Sequence, residues 1–429
     1  MNILVIGSGA REHALCWAMR KSPLCGKLYC APGNAGIAEV AECLPVGVED
    51  LGGMVKVCRE HGVEFVVVGP ELPLSLGMVD AIRAAGIPCF GPNQAAAEIE
   101  SSKTFMKEVC AKAGVPTAAY RRFAEGEVAA AQAYVREQGA PIVVKADGLA
   151  AGKGVTVART VEEAIAAIDD AMVKKVFGAA GCSLVIEEFM EGEEASFFAI
   201  CDGKDSVPLV AAQDHKAVFD GDKGPNTGGM GAYSPTPAVD AAMEKRLMRE
   251  VMEPIFKTMR EMGRPFTGVL YAGLMMTKEG PKIVEFNARF GDPEAEVLFP
   301  RLKSDVVPLL LAASQGEGKL KGVEVAWRDD AALCVVMAAK GYPGAYEKGS
   351  AIRGLERVSQ VPNAVVFHAA TKRDALEQVV SNGGRVLGVT ATGATIVEAQ
   401  RQAYAAVDVI DWRESHCRRD IGWRAIKRQ

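Results

Sequence analysis

Residues 143–155 read VVKADGLAAGKGV, an apolar run that ends in a lysine and continues into a glycine-rich turn. The phosphate-binding loop of the GxxxxGK[ST] type needs four residues between its glycines and a hydroxyl residue after the lysine. Here three residues separate Gly148 from Gly152, and Gly154 follows Lys153. The stretch therefore predicts a different kind of phosphate-binding turn, set between two strands.

Lys145 ends the apolar strand on a face that alternation predicts to be buried. A lysine there needs an anion close by, because an unpaired buried charge costs several kcal/mol. The glycines of the turn allow its backbone to approach phosphate oxygens, and Lys153 adds positive charge. We interpret the turn as a mobile lid over the phosphates of a nucleotide. The alternative is an ordinary glycine-rich hairpin with solvated lysines.

Outward from this stretch, the pattern predicts an α/β and α+β multidomain chain. Up to about residue 100, short apolar runs alternate with helical stretches, which indicates a parallel sheet with helices on both faces. One helix is expected at 95–114. The expected units are an N-terminal domain at 1–102, a two-lobed module at 103–325 that divides near residue 192 (small lobe 120–192, larger lobe 193–325), and a β-rich C-terminal domain at 326–429.

Bulk composition excludes several classes of protein. A chain of 429 residues is longer than one hydrophobic core usually serves, so several domains are expected. The chain has 49 Lys and Arg residues against 54 Asp and Glu residues and no stretch rich in basic residues, which excludes a nucleic-acid partner. The 11 cysteines lack any CxxC pair, which favours reduced thiols. The apolar run at residues 3–6 continues into Gly-Ser-Gly, so we interpret it as a strand and not a signal peptide. No run is long enough to span a membrane. A cytoplasmic protein is expected.

The first loop, residues 7–12, begins like the dinucleotide-binding motif GxGxxG but carries Glu12 in place of the third glycine. That glycine allows the helix to pack closely on the strand, so its absence weakens a dinucleotide-binding interpretation. Two interpretations remain open. The turn either holds an anionic substrate with Gly9, Arg11 and His13 at a helix start, or it is a tight turn with a solvated Arg-Glu pair.

Residues 184–194, LVIEEFMEGEE, end a strand in acidic residues and one aromatic. An adenine ring could use the backbone of Glu187, Glu188 and Phe189 for its polar edge and the Phe189 ring for apolar cover. Glu194 could bind ribose hydroxyls. Taken alone, a solvated acidic turn explains the same residues.

Residues 281–294, PKIVEFNARFGDPE, carry the sharpest chemical signal. Alternation in a strand places Glu285, Asn287 and Arg289 on one face, while Phe286 and Phe290 face the core. A carboxylate and an amide oxygen are suitable ligands for Mg²⁺, and the guanidinium beside them can stabilise a phosphoryl group. The alternative is an exposed edge strand, which Asn and Gly disfavour.

Two further motifs complete the candidate site. Asp214 and Lys216 flank His215, which we interpret as a structural hydrogen-bonding residue and not a general base. The glycine-dense loop at 226–231 resembles a cradle of N–H donors for an anion or an acyl phosphate. A flexible surface loop is the alternative. The loop residues of interest are Asn226, Thr227, Gly228, Gly229 and Met230.

The chain resembles the phosphoribosylamine-glycine ligases, ATP-grasp enzymes of purine biosynthesis. The resemblance runs from GSGAREHA through APGNAG, VVGPELPL, VVKADGLAAGKGV, IEEFMEGEEASF, QDHK, GPNTGGMGAYSP, LYAGLM and EFNARFGDPE to AAKGYPG and NGGRVLGVTATG. It implies a Rossmann-like N-terminal sheet, an ATP-grasp module and a small C-terminal domain. It also implies that ATP activates glycine as glycyl phosphate, which 5-phosphoribosylamine then attacks.

The resemblance implies a role for each motif. The residues implied to bind the phosphates and the adenosine of ATP are Lys103, Lys145, Gly148, Gly152, Lys153, Gly154, Glu187, Glu188, Phe189 and Glu194. Glu285 and Asn287 are implied to bind Mg²⁺, or Mn²⁺ in its place, and Arg289 to stabilise the transferring phosphoryl group. The residues implied to bind glycine and 5-phosphoribosylamine are Gly9, Arg11, Glu12, Asp214, Lys216, residues 226–230 and Asp292. Catalysis is assigned to Arg289, Lys145 and Asp214.

One departure from the broader ATP-grasp pattern concerns the metal. The strand before Glu285 reads VLYAGLMMT and has no carboxylate, so the number of bound metal ions stays open. The implied partners are small molecules only, with no nucleic acid and no membrane, in a monomer or weak homodimer. The rival hypotheses are a nicotinamide-dependent dehydrogenase that rests on GSGARE alone, another ATP-grasp ligase, and a silent nucleotide-binding protein.

Overall fold

The structure, a computed structural model, describes residues 1–149 and 154–428. The first hundred residues form a five-stranded sheet in the order β3-β2-β1-β4-β5, with every neighbouring pair parallel. Its elements are β1 (Ile3–Gly7), α1 (Ala10–Met19), β2 (Leu28–Pro32), β3 (Glu42–Cys43), α2 (Leu51–Glu60), β4 (Phe65–Val68), α3 (Glu71–Ser75), α4 (Met78–Ala84), β5 (Cys89–Phe90) and α5 (Gln94–Ser101). The predicted parallel sheet is confirmed.

Both faces of this sheet are buried. Ile3 and Val5 pack into one apolar core and Leu4 and Ile6 into another on the opposite face. A strand buried on both faces reads as a continuous apolar run, which is why residues 3–6 show no polar alternation.

The single helix expected at 95–114 is wrong, because the chain breaks at Ser102 into α5 and α6 (Lys103–Ala113). Ser102 adopts an extended backbone and its side chain accepts a hydrogen bond from the Phe105 N–H, so it caps a new helix. The end of the helix is as predicted, with Gly114 in the left-handed conformation at φ 68°. The break places Lys103 at the start of α6.

The small lobe is an antiparallel sheet in the order β6-β9-β7-β8, covered on one face by helices. Its elements are β6 (Tyr120–Phe123), α7 (Val128–Gln138), β7 (Ile142–Ala146), β8 (Val155–Ala158), α8 (Val161–Ile168) and β9 (Leu184–Glu188). The glycine-rich turn lies between β7 and β8, as the sequence predicts.

The larger lobe contains the two hairpins expected from the sequence, β10–β11 and β16–β17, in one sheet of order β11-β10-β16-β17. Its elements are β10 (Glu193–Asp202), β11 (Ser206–Pro208), β12 (Gln213–Asp214), β13 (Ala217–Phe219), β14 (Lys223–Asn226), β15 (Gly231–Ser234), α9 (Ala241–Leu247), α10 (Glu253–Glu261), β16 (Thr267–Thr277), β17 (Gly280–Asn287), α11 (Ala295–Arg301) and α12 (Val306–Ser314).

The C-terminal sheet has the order β12-β15-β18-β22-β19, with β23 beside β18, so two strands of the preceding segment join it. Its own elements are β18 (Ala331–Ala339), β19 (Ala364–His368), β20 (Thr371–Arg373), β21 (Val379–Ser381), β22 (Arg385–Gly393), α13 (Ile396–Val409), β23 (Ser415–His416) and α14 (Trp423–Ile426). This sheet also contacts helix α1 of the N-terminal domain, since His13 Nδ1 accepts the His368 N–H at 2.8 Å. Among the described residues, no helix is both long and apolar enough to cross a membrane.

Candidate active site

Lys145 finds its anion within the protein. Its Nζ lies 2.8 Å from Glu187 Oε2 and donates to the Val284 carbonyl at 3.1 Å. The other oxygen of Glu187 lies 3.0 Å from Lys107 Nζ, and all three charged side chains are buried. The expectation that Lys145 needs a nearby anion is confirmed. Since both oxygens of Glu187 face lysines, its carboxylate is already paired within the protein.

Asp147, to which the sequence assigned no role, joins the glycine-rich turn to the start of α6. Its two carboxylate oxygens accept from Thr104 N at 2.8 Å and Thr104 Oγ1 at 2.7 Å. Weaker bonds come from Ser102 Oγ at 3.4 Å and Ser183 Oγ at 3.3 Å. The Lys103 N–H donates to the Asp147 carbonyl at 3.2 Å. These bonds hold Lys103 beside the strand that carries Lys145.

Glu285 is the negative centre of the site. Burial by itself raises the pKa of Glu285, but four cations together hold that pKa below its ordinary value. These cations are Lys216, Lys145, Lys103 and Arg289. Glu285 is therefore ionised at neutral pH, as a metal ligand must be.

Asn287 and Arg289 stand beside Glu285 at the end of β17. Arg289 Nη2 donates to Asn287 Oδ1 at 3.2 Å, so the amide presents its oxygen toward a positive group. Phe286 is buried in the core, so Glu285 and Asn287 share the opposite face of the strand as predicted. Arg289 follows the last residue of β17.

Arg289 is bound by two carboxylates of the N-terminal domain that sequence reasoning missed. Its Nη2 lies 2.9 Å from Glu100 Oε1 and its Nε 3.4 Å from Glu71 Oε2. Burial raises the pKa of Glu100 to about 7. Burial is also the largest single effect at Glu71, but the charges of Arg289 and Arg11, together with hydrogen bonds, outweigh it and lower the pKa of Glu71 to about 2. Glu71 stands in the motif VVGPELPL, which was the available signal.

Asp214 and Lys216 form an ion pair of 2.5 Å across the buried His215. Burial opposes the charge of Lys216, but surrounding groups, Asp214 first, raise its pKa well above the ordinary value. One of these groups is Glu294, which is buried and accepts from Tyr271 Oη at 2.9 Å. The segment therefore places a firmly protonated ammonium among carboxylates.

His215 is a structural hydrogen-bonding residue, as predicted. Its ring is fully buried, and Nε2 accepts from the Gly422 N–H at 2.9 Å. Burial lowers the pKa of His215, so the neutral ring is the stable form.

The first loop is filled by its own glutamate. Glu12 Oε2 accepts from the Gly9 N–H at 2.6 Å, and Arg11 Nε lies 2.5 Å from Glu12 Oε1. A Cβ at Gly7 or Gly69 would come within 2.5 Å or 2.1 Å of Glu12 atoms, so only glycine leaves room for the carboxylate. Arg11 and Glu12 are both buried, so the interpretation of a solvated pair is wrong. The Gly9 N–H, which was expected to hold an anionic substrate, already donates to Glu12.

Asp292 is held by Arg385, another residue that sequence reasoning missed. Arg385 Nη2 lies 3.1 Å from Asp292 Oδ1, and Nη1 donates to the Gly228 carbonyl at 2.8 Å. Arg385 therefore links the C-terminal sheet both to Asp292 and to the loop at 226–231. It stands in the motif NGGRVLGVTATG, which was the available signal.

The loop at 226–231 differs from the expected cradle of free donors. Thr227 N donates to the Lys216 carbonyl at 2.7 Å, Gly229 N to Thr227 Oγ1 at 3.0 Å and Met230 N to the His215 carbonyl at 2.8 Å. Gly228 N donates to Tyr342 Oη at 3.3 Å. These donors stabilise the loop itself, and Met230 is fully buried. Asn226, at the end of β14, is exposed.

The adenosine candidates lie around the end of β9. Glu188 and Glu194 are exposed and Phe189 is half-buried, with the Arg159 guanidinium 4.7 Å from its ring centre. In the turn, a Cβ at Gly148 would lie 2.8 Å from Ala180 atoms. Gly154 accepts from the Ala146 N–H at 2.7 Å. Gly152 and Lys153 lie outside the described residues.

The residues present fit a divalent ion that is shared with a nucleotide. Within residues 1–149 and 154–428, no group of three or more His, Cys, Asp or Glu side chains is placed to hold a metal. Glu285 and Asn287 supply one carboxylate and one amide oxygen. Mg²⁺ is usually held by one or two carboxylates together with phosphate oxygens and water, which matches such a sparse set.

Comparison with known proteins covers most of the chain. Residues 1–100, 101–295 and 332–424 match the N domain, the ATP-grasp (A) domain and the C domain of phosphoribosylglycinamide synthetase. A phosphoribosylamine–glycine ligase of Rhizobium meliloti (strain 1021) is 56% identical over 429 residues, 100% of both proteins. One of Escherichia coli O6:H1 is 51% identical over 432 residues, also 100% of both.

Solved structures agree with these matches. The phosphoribosylamine–glycine ligase of Thermotoga maritima superposes with a TM-score of 0.83 at 31% identity, over 98% of this chain and 100% of that one. A biotin carboxylase domain of Hydrogenobacter thermophilus 2-oxoglutarate carboxylase has a TM-score of 0.74 at 17% identity, over 97% and 91% of the two chains, and shares the fold alone. The predicted fold class is confirmed.

Proposed function

The chain belongs to the phosphoribosylglycinamide synthetase family, and from this premise we propose how its residues carry out the ligation. The reaction joins glycine to 5-phospho-D-ribosylamine and gives glycinamide ribonucleotide, ADP and phosphate in purine biosynthesis. It is an ATP-dependent formation of a C–N bond. A glycine carboxylate is a poor electrophile, so it must first be activated.

In the first step, an oxygen of the glycine carboxylate attacks the γ-phosphorus of ATP, and the bond between that phosphorus and ADP breaks. The product is glycyl phosphate. Lys103, Lys145 and the turn at Gly148 and Gly154 neutralise the phosphates, and Arg289 stabilises charge on the transferring group. Phosphoryl transfer depends mainly on such positioning and charge neutralisation.

Glu285 and Asn287 would hold Mg²⁺, or Mn²⁺ in its place, against the nucleotide. When bound, the ion neutralises phosphate charge. The four cations that keep Glu285 ionised support this assignment, because they also form the positive surroundings that ATP phosphates require.

In the second step, the amine of phosphoribosylamine attacks the carbonyl carbon, the bond to the phosphate oxygen breaks, and the nitrogen loses a proton. Asp214, paired with Lys216, would bind the ammonium group of glycine. Asp292 and the loop at 226–230 would contact the acyl phosphate or phosphoribosylamine. Phe189, the backbone of Glu187 and Glu188, and Glu194 would bind adenosine.

One arrangement carries this assignment: Lys145 donates to the carbonyl of Val284, next to Glu285, at 3.1 Å, and Arg289 donates to Asn287 Oδ1 at 3.2 Å. Together with Lys103 and Lys216, these two cations hold the pKa of Glu285 below its ordinary value. The test measures ADP formation with glycine, phosphoribosylamine and the divalent ion omitted in turn. Full turnover needs all three. ADP formation that persists without glycine would overturn glycine as the activated carboxylate. A cytoplasmic location and a monomer or weak homodimer remain our predictions.

A further inference from the structure

Lys107 is a buried cation to which the ligation mechanism above gives no task. Its side chain has 0% exposure, so it cannot touch a nucleotide. Its Nζ lies 3.0 Å from Glu187 Oε1 and donates to Thr117 Oγ1 at 2.8 Å and to the Ala118 carbonyl at 3.3 Å. Burying a lysine this completely is costly unless it is paired, so its partners indicate its task.

The partners of Lys107 lead to the ATP site. Glu187 holds Lys145 through its other oxygen at 2.8 Å. Thr117 Oγ1 donates in turn to the Ile283 carbonyl at 2.8 Å, and Lys145 donates to the neighbouring Val284 carbonyl. Lys107 is therefore connected by two routes to the strand residues immediately before Glu285.

Charge counting shows what Lys107 changes. Lys107, Glu187 and Lys145 sum to one positive charge, whereas Glu187 and Lys145 alone sum to zero. Without Lys107, both oxygens of Glu187 would be free to bind the Lys145 ammonium. A neutral pair attracts phosphates far less than a net cation does.

We propose that Lys107 is a positioning residue of the ATP site, which occupies one oxygen of Glu187 and so leaves the positive charge of Lys145 available to the nucleotide phosphates. This inference rests on the proposed function, since it takes Lys145 as a phosphate-binding residue. Lys107 acts through Glu187 and does not contact the substrate.

The test combines Lys107→Met with Lys107→Met/Glu187→Gln. Titration calorimetry with ATP measures affinity, and the KM for glycine serves as a second readout. Lys107→Met should weaken ATP binding by about tenfold or more, as loss of a nearby unit charge predicts. The KM for glycine should stay within about twofold of wild type. The double variant restores one net positive charge on Lys145 and should recover to within about threefold of wild type.

A matched control is Lys112→Met, which removes an exposed lysine from the same helix and should leave ATP affinity unchanged. Normal affinity in Lys107→Met overturns the inference. So does a folded double variant that stays as weak as the single one, because packing and not charge would then explain the loss. If Lys107→Met does not fold, the double variant decides the matter alone: affinity within about threefold of wild type supports the inference, and a weaker value overturns it.

Lys145→Met separates this inference from the proposed function. Wild-type ATP affinity in Lys145→Met would remove the phosphate-binding role of Lys145 itself. Lost affinity in Lys145→Met together with normal affinity in Lys107→Met would keep that role and reject the one proposed for Lys107.

Discussion

Asp147→Asn tests whether the junction between the small lobe and α6 sets the position of Lys103. The substitution keeps the shape of the side chain but replaces one acceptor oxygen with an amide that donates. Thr104 presents two donors, its N–H at 2.8 Å and its hydroxyl at 2.7 Å, to the two oxygens of Asp147. One of these bonds must be lost or reversed.

The magnitude follows from these contacts. A hydrogen bond to a buried charged group contributes about 1.5–3 kcal/mol. A negative charge at a helix N-terminus adds about 0.3–1 kcal/mol. Asp147 is only 8% exposed, so solvent does not replace the lost partner. We expect a loss of about 2–4 kcal/mol in the free energy of unfolding.

The assay pairs urea unfolding with steady-state kinetics. Because Lys103 begins α6, its displacement should raise the KM for ATP about tenfold and leave the KM for glycine within about twofold. Asp240→Asn is the matched control, since Asp240 caps α9 through a single 2.8 Å bond from the Met243 N–H on the surface. Asn caps a helix as well as Asp does, so this control should behave as wild type. Equal stability and equal ATP kinetics in the two variants would refute the reasoning.

Three further outcomes are expected. Glu285→Ala should abolish turnover while the circular dichroism spectrum stays native, and measurable activity would remove the metal assignment. Arg289→Lys should lower kcat by at least about a hundredfold, because one ammonium group cannot reproduce the planar guanidinium that binds two carboxylates. A near-native kcat would show that Arg289 has a structural role only. Burial lowers the pKa of His13 to about 3 and of His368 to about 4, whereas an unfolded histidine titrates near 6.5. As pH falls, the unfolded chain therefore takes up these protons before the folded chain does. Between pH 7.5 and pH 5, each histidine should lower the free energy of unfolding by about 2 kcal/mol. His368→Asn should reduce the slope of the unfolding free energy against pH.

Local sequence pattern determined the strands, the hairpins and the chemical type of the site. Residues 3–6 are all apolar because both faces of their sheet are buried. At 285–287 the apolar Phe286 faces the core between polar Glu285 and Asn287, because side-chain direction in a strand repeats every two residues. The same rule placed Glu285 and Asn287 on one face and showed that Lys145 needed an anion. The motifs that carry the family resemblance, such as EFNARFGDPE, likewise lie within short continuous stretches.

Only the tertiary structure decided which groups serve as partners. The anion beside Lys145 is Glu187, on a neighbouring strand, and Glu187 also binds Lys107. Arg289 binds carboxylates of another domain, and Asp147 accepts a hydrogen bond from the start of α6, just after Ser102 interrupts the helix that the sequence predicted to be continuous. Charge pairs form through space, and their energy depends on distance and burial, neither of which is encoded in local periodicity. The sequence therefore shows that a buried charge needs a partner, and the packing of distant segments selects that partner.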